Sequence, residues 1–268
     1  MSIITISRGS YSRGKEVAEK VAQELDYQCV SREILLEASE QFHIPEVKLV
    51  RAIHDAPSVF DRFTYGKEKY IAYLRAALLK WVQKDNIVYH GLAGHFFLQD
   101  IPHVLKVRVI ADLEDRVKEE MKRENISAEE ARYILKKDDD ERRKWGLQLY
   151  GHDTLDSTLY DLVVHIKRNK IDDVVDLILY AARMPCFQTT PESQKIINDL
   201  TLAAEVKAAL VSEFPTSRVT AKDGSVFVKI EIPLSHQEKT TNALKRIAEN
   251  IDGVKEVNVY VTPLINVD

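Results

Sequence analysis

Ile3-Ile-Thr-Ile-Ser-Arg-Gly9-Ser-Tyr-Ser-Arg-Gly14-Lys15-Glu16 is the stretch whose reading decides the fold. Ile3, Ile4 and Ile6 form a short β-favouring run, Gly9 and Gly14 permit a tight turn, and apolar residues recur at helical spacing from Glu16 to Leu25. Strand, glycine-bounded loop and helix follow one another, which is the order of a phosphate-binding loop. In such a loop backbone N–H groups turn inward toward an anion and the helix N-terminus adds partial positive charge. The expected phosphate-binding residues are Gly9, Ser10, Tyr11, Ser12, Arg13, Gly14, Lys15 and Glu16, with the Lys15 ammonium reaching across the outer phosphates. Glu16 stands where a Ser or Thr commonly places its hydroxyl on Mg²⁺. A carboxylate ligates Mg²⁺ directly but also repels nearby phosphates. The competing reading is a glycine-rich turn with an exposed lysine.

Outward from that loop, strand-like runs recur at Ile3 to Ser7, Tyr27 to Val30, Ile87 to His90, Val104 to Ile110 and Asp161 to Ile166, with helical stretches between them. The alternation predicts an α/β fold, a parallel sheet covered by helices on both faces. A long, mostly helical insertion runs from Glu33 to Lys84, interrupted by Pro45 and Pro57. Its second half brings Tyr70, Tyr73, Leu74, Ala77, Leu78 and Trp81 onto one face, read as core packing in preference to a base-stacking surface. Asp112 to Trp145 is helix-favouring and holds ten Lys or Arg against twelve Asp or Glu, a mixture that predicts a solvated face rather than a nucleic-acid patch.

Ile171 to Arg183 closes this first unit as an amphipathic helix, so residues 1–185 are expected to form one domain and 186–192 a linker, because Met184 to Ser193 carries two prolines and short polar residues. Residues 193–268 carry their own pattern of helix, two strands around an Asp223-Gly224 turn, helix and last strand, a small α+β module of αββαβ order.

The 268-residue chain has 45% hydrophobic residues, which supports a packed core, and a net charge of −4, which gives no general attraction to nucleic acid or anionic membrane. Cys29 and Cys186 are its two cysteines, without metal-ligand spacing. With no leader-like opening and no apolar run near membrane-spanning length, a cytoplasmic protein is expected.

Phosphoryl transfer depends on positioning and charge neutralisation, so converging arginines and lysines are the residues to seek. Besides Lys15 these are Arg32 after the second strand, Arg116 after the fourth, and Arg142 and Arg143 in Asp138-Asp-Asp-Glu-Arg-Arg-Lys, where acidic neighbours hold guanidinium groups in place. Each arginine alone reads as surface charge, whereas their shared placement after strands raises the joint case. His90 and His95 bracket Gly91-Leu-Ala-Gly, without the spacing of a zinc helix.

Six segments in sequential order carry a family resemblance. They are Ile6-Ser-Arg-Gly with Arg13-Gly-Lys-Glu, Val30-Ser-Arg-Glu-Ile-Leu, Ile87-Val-Tyr-His-Gly-Leu-Ala-Gly, Val104-Leu-Lys-Val-Arg-Val-Ile-Ala-Asp with Arg116, Asp139-Asp-Glu-Arg-Arg-Lys-Trp, and Tyr160-Asp-Leu-Val-Val-His. Through them Met1 to about Arg183 resembles the cytidylate kinase-like family, relatives of the P-loop nucleoside monophosphate kinases. The resemblance implies a three-layer P-loop kinase sheet with a helical lid and an insertion. It implies ATP and Mg²⁺ as cofactors, with Gly9 to Lys15 around the donor phosphates, Glu16 as a candidate Mg²⁺ ligand and Arg32 on the acceptor phosphate. Lys15, Arg116 and Arg142 take the catalytic positions, with Asp139 and Arg143 beside them on the lid. The implied activity is γ-phosphate transfer to a nucleoside monophosphate or similar small acceptor. Leu92 stands where the family commonly has an acceptor-binding arginine, and Ala93 follows where cytidylate kinases proper carry an acid. These departures keep open a second reading, a catalytically weak nucleotide-binding regulator signalling through the tail. The tail itself resembles a BON domain through Asp223-Gly-Ser-Val-Phe-Val and Asp252-Gly-Val-Lys-Glu-Val-Asn-Val, implying lipid, protein or homo-oligomer contacts.

Overall fold

The first apolar run becomes the central strand of a parallel sheet whose two faces are both buried. The structure, a computed structural model, describes residues 2–9, 12–31, 33–44, 49, 66–91 and 93–263. In chain order the elements are β1 (Ile3–Arg8), α1 (Gly14–Leu25), β2 (Gln28–Val30), α2 (Glu33–Gln41), α3 (Gly66–Val82), β3 (Ile87–Tyr89), α4 (Gly94–Phe97), β4 (Val104–Ala111), α5 (Leu113–Glu124), α6 (Ala128–Tyr150), β5 (Leu162–Ile166) and α7 (Ile171–Ala182). The C-terminal elements are α8 (Pro191–Leu210), β6 (Arg218–Lys222), β7 (Ser225–Ile232), α9 (Gln237–Ala248) and β8 (Glu256–Pro263).

Five strands pair in the order β2-β3-β1-β4-β5, all parallel, with Ile4 opposite Val88 on one side and Leu105 on the other. Successive residues of β1 point to opposite faces, so Ile3 joins one core while Ile4 and Ile6 join the other. The second core packs Val17, Ala18 and Val21 of α1 against Val174, Val175 and Ile178 of α7. The first is built from α2, α3 and α4, and the α3 stripe belongs to it: Tyr73, Leu74, Ala77 and Leu78 are buried, with Tyr70 and Trp81 packed alongside. The expected α/β architecture with helices on both faces is therefore the observed one. Of the insertion, residues 45–48 and 50–65 lie outside the described residues.

Because β1 lies between β3 and β4, the chain reverses its direction of growth across β1. Open parallel sheets leave a crevice beyond the carboxyl ends of the strands at such a reversal.

The helix α8 begins at Pro191, inside the expected linker, where Thr190 and Ser193 exchange side-chain and backbone hydrogen bonds in a capping box and Pro191 supplies a helix-compatible φ. Its apolar residues face two ways. Ile197, Ala204 and Ala208 enter the core of the large sheet beside α3, whereas Val206 and Leu210 join Val226, Val228, Ile230, Leu244 and Val257 under the small sheet. That small sheet has the order β6-β7-β8, antiparallel at the hairpin and parallel at the last pair. Asp223 and Gly224 turn the hairpin with φ of 52° and 90°, both positive as a two-residue hairpin turn requires. Among the described residues no helix is long and apolar enough to cross a membrane.

Candidate active site

The crevice holds a cavity of about 440 Å³. Its lining comes from the ends of four strands, Ser7 and Arg8 of β1, Ser31 after β2, Tyr89 of β3 and Ile110 and Ala111 of β4. The side chains divide by chemistry. Arg8, Arg108, Arg116, Arg142 and Arg143 bring five cations against Asp139 and Asp140, while Leu74, Leu78, Phe96, Phe97 and Trp145 give an apolar, aromatic wall. This pairing suits a ligand with one strongly anionic part and one flat or apolar part.

The loop after β1 is fastened from within. Buried Ser12 donates from Oγ to the Gly9 and Val109 carbonyl oxygens, 3.1 Å each, and the Gly9 N–H reaches Val109 O at 3.4 Å. Arg13 ends the loop in the left-handed region at φ 58°, and α1 starts at the next residue. A Cβ at Gly14 would lie 2.8 Å from Arg8 Cβ, so only glycine lets the helix start this close to β1. Ser10 and Tyr11 lie outside the described residues, as do Arg32 and Leu92.

Lys15 and Glu16 stand apart from this cavity. The Lys15 ammonium lies 3.6 Å from Glu19 one turn along α1, with its side chain 62% exposed. Glu16 accepts from Arg13 Nε at 3.0 Å and Nη2 at 2.8 Å. Neither belongs to the lining, which the loop reaches through Gly9.

The arginines expected on the lid do converge. Asp139, Arg142 and Arg143 share one face of α6 through their i, i+3 and i+4 spacing. Arg116, in the first turn of α5, donates from Nη2 to Asp139 Oδ2 at 2.7 Å and is buried. Its Nη1 lies 3.6 Å from the position a Cβ would take at Gly9, so the guanidinium rests against the loop backbone. Arg142 donates from Nη1 to the Arg8 carbonyl oxygen at 3.2 Å, tying α6 to the end of β1. Arg143 donates from Nε to Asp153 Oδ2 at 2.7 Å; the hydrogen bond from the Leu155 N–H, with that pairing beside it, outweighs burial and holds Asp153 below the usual carboxylate range.

Arg8 and Arg108 complete the cationic group and lie outside the sequence expectation. Arg108 projects from the middle of β4, nearly buried, donates from Nη1 to Tyr160 Oη at 3.0 Å, and sits 5.3 Å from the centre of that ring. Tyr160 in turn donates to the Thr154 carbonyl at 3.0 Å. The available signal was the Val107-Arg-Val109 pattern: a charge in a strand buried on both faces requires a partner or a ligand.

His90 and His95, which lack the spacing of a zinc helix, both line the cavity. Burial, with Arg8 acting in the same direction, pushes His90 down to about 4, and burial with Arg108 pushes His95 down to about 3. Both imidazoles are therefore neutral near pH 7. Among the described residues no group of three His, Cys, Asp or Glu is arranged to hold a metal ion.

A profile of the cytidylate kinase-like family matches residues 3–168, which takes in the loop, the sheet, α5 and α6. The chain belongs to the cytidylate kinase-like family. A cytidylate kinase of Sulfolobus acidocaldarius is 27% identical over 177 residues, 66% of this chain and 91% of that protein. A cytidylate kinase of Thermococcus kodakarensis is 34% identical over 80 residues, 30% of this chain and 40% of that protein. Among solved structures, one titled as an uncharacterized protein from Eubacterium ventriosum superposes with a TM-score of 0.51 at 20% identity, covering 68% of this chain and 98% of that one. That likeness is one of fold. The family match stops before α8, so the small C-terminal sheet falls outside it.

Proposed function

We propose that this member of the cytidylate kinase-like family is an ATP-dependent nucleotide kinase that transfers the γ-phosphate to a nucleoside monophosphate or similar small phosphate acceptor. The observation that carries the reading is the convergence of Arg116 on Gly9 and of Arg142 on the adjoining end of β1, in the lining of a cavity whose remaining side chains include an aromatic and apolar group. The polyphosphate of ATP takes the loop and lid arginines, and Arg32 contacts the acceptor phosphate. In the transfer an acceptor phosphate oxygen bonds to the γ-phosphorus as the bond from that phosphorus to the β,γ-bridging oxygen breaks, and ADP leaves with the electron pair. The attacking oxygen is already ionised near neutral pH, so no general base is needed, and the arginines offset charge on the transferring group.

Mg²⁺ commonly takes one or two carboxylates together with substrate phosphates and water. Asp139 and Asp140 are the carboxylates lining the cavity and fit such an ion, whereas Glu16, held by Arg13, stands apart from them. When bound, it would shield the charge of the phosphates. A specific observation favours the second reading, a nucleotide-binding regulator: Lys15 pairs with Glu19 on the exposed side of α1. On the kinase reading Lys15 exchanges that exposed, weakly held partner for the outer phosphates when ATP binds.

A coupled ADP-release assay across CMP, dCMP, UMP and AMP separates the two. Turnover with at least one acceptor supports the kinase, whereas ATP binding by calorimetry without turnover on any of them supports the regulator. Residues 193–268 act in this proposal as a BON-like module appended to the kinase-like unit 1–185, giving contacts to lipid, protein or a second copy. Liposome co-sedimentation and sizing of the full chain distinguish these.

A further inference from the structure

In the cavity lining, His95 leaves all of its hydrogen-bonding capacity unused among the described residues. His95 is 5% exposed, and neither Nδ1 nor Nε2 has a hydrogen-bond partner among the described residues. His90, 7% exposed, leaves its Nδ1 unpartnered in the same way. Buried polar atoms are almost always paired in folded proteins, so two such rings in the lining of one cavity call for a ligand.

The His95 ring is also held in place. It packs 4.0 Å from the Phe96 ring and 5.0 Å from Tyr160, whose hydroxyl is engaged by Arg108 and by the Thr154 carbonyl. A ring fixed on two sides presents its nitrogens in a set direction. The neutral imidazole carries one donor and one acceptor. Anionic groups have the arginines as far stronger partners, so the complement to His95 is an uncharged edge.

We infer that His95, assisted by His90, is a specificity residue that reads the uncharged donor and acceptor edge of a flat heterocycle on the phosphate acceptor, seated against Phe96, Leu74 and Leu78. The inference rests on the cavity being the acceptor site. It assigns discrimination among acceptors to the segment after β3, and to a residue that contacts substrate without entering the transfer. A hydrogen-bonding site of this kind discriminates by leaving its own buried groups unpaired when the wrong edge is offered.

The test is calorimetric binding of CMP, dCMP, UMP, AMP and, separately, ATP to the full-length chain. The wild type is compared with His95→Phe, His95→Leu and His95→Asn. Phenylalanine keeps the ring contacts and removes both nitrogens; asparagine keeps a donor and an acceptor. Loss of a hydrogen bond at a buried site predicts that His95→Phe and His95→Leu weaken the best-bound monophosphate by about tenfold and reduce the preference among the four by a similar factor. ATP affinity should stay within about twofold, and His95→Asn should recover most of the loss. Unchanged affinity and ranking in both apolar variants would overturn the inference and leave the kinase reading standing. An equal loss for ATP and all four monophosphates would overturn it too, since a purely structural role gives that result. Failure of all four to bind the wild type would overturn the acceptor-site reading and the inference with it.

Discussion

Removing residues 191–268 should destabilise the large sheet, although the family match ends at residue 168. The reason is α8. Ile197 and Val211 are buried in the core that α3 shares, with Ala204 and Ala208 beside them and Leu200 packed against the group. Full burial of an Ile or Val is worth roughly 1.5–3 kcal/mol, so these side chains together supply about 4–9 kcal/mol to that face. Polar contacts cross the same seam: Tyr73 Oη lies 3.1 Å from Ser212 Oγ and Gln83 donates to Asn198 at 2.8 Å. Against a typical total stability of about 5–15 kcal/mol the loss is large. For a domain of this size it corresponds to a fall in Tm of at least about 8 °C. Scanning calorimetry of the full chain and of residues 1–190 measures it. A fragment melting within about 3 °C of the full chain would refute the claim that α8 belongs to both cores. The face it covers is functionally placed, because Leu74 and Leu78 of α3 also line the cavity.

Gly14→Ala puts a methyl group 2.8 Å from Arg8 Cβ, and the resulting displacement of the loop should lower turnover by about 10²-fold, read by ADP release with folding followed by circular dichroism. Asp139→Asn removes the charge that holds Arg116; stability should change by less than about 1 kcal/mol because the aspartate is partly exposed, while kcat falls roughly tenfold. Histidines in the unfolded chain take up protons as the pH falls through about 6.5, whereas folded His90 and His95 resist until about 4 and about 3. Their contribution is therefore complete above about pH 6.5 and is lost below it at roughly 1.4 kcal/mol per pH unit for each ring. Denaturant midpoints measured from pH 7 to 5 should fall accordingly, with a shallower fall in His95→Phe.

The glycine spacing, the isoleucine run and the alternation of strands with helices made the sheet and its loop legible, because each is a local consequence of backbone conformation and hydrophobic period. Arg116, Asp139, Arg142 and Arg143 were legible for a related reason, since strand ends and helical spacing place them. Other features depend on contacts between distant segments. Arg108 meets Tyr160 across 52 residues, and the two-sided packing of α8 depends on a helix more than 100 residues earlier. That the nitrogens of His95 find no partner among the described residues is a property of its whole surroundings, and the sequence pattern there shows only a histidine after a glycine. Lys15 illustrates the reverse case. Its i, i+4 relation to Glu19 is plain in the sequence, yet the expectation of a phosphate partner for Lys15 passed over it.

The central claim is that the Gly9 loop and the lid arginines hold a phosphate chain undergoing transfer. Its most direct test is kcat for ADP release with the best of the four monophosphates, wild type against Arg142→Met. The claim predicts clear acceptor-dependent turnover in the wild type and a drop of about 10²- to 10³-fold in the variant, as expected when one preorganised contact to a charged transition state is lost. A wild type inert toward every acceptor, or an Arg142→Met chain with undiminished kcat, would contradict it.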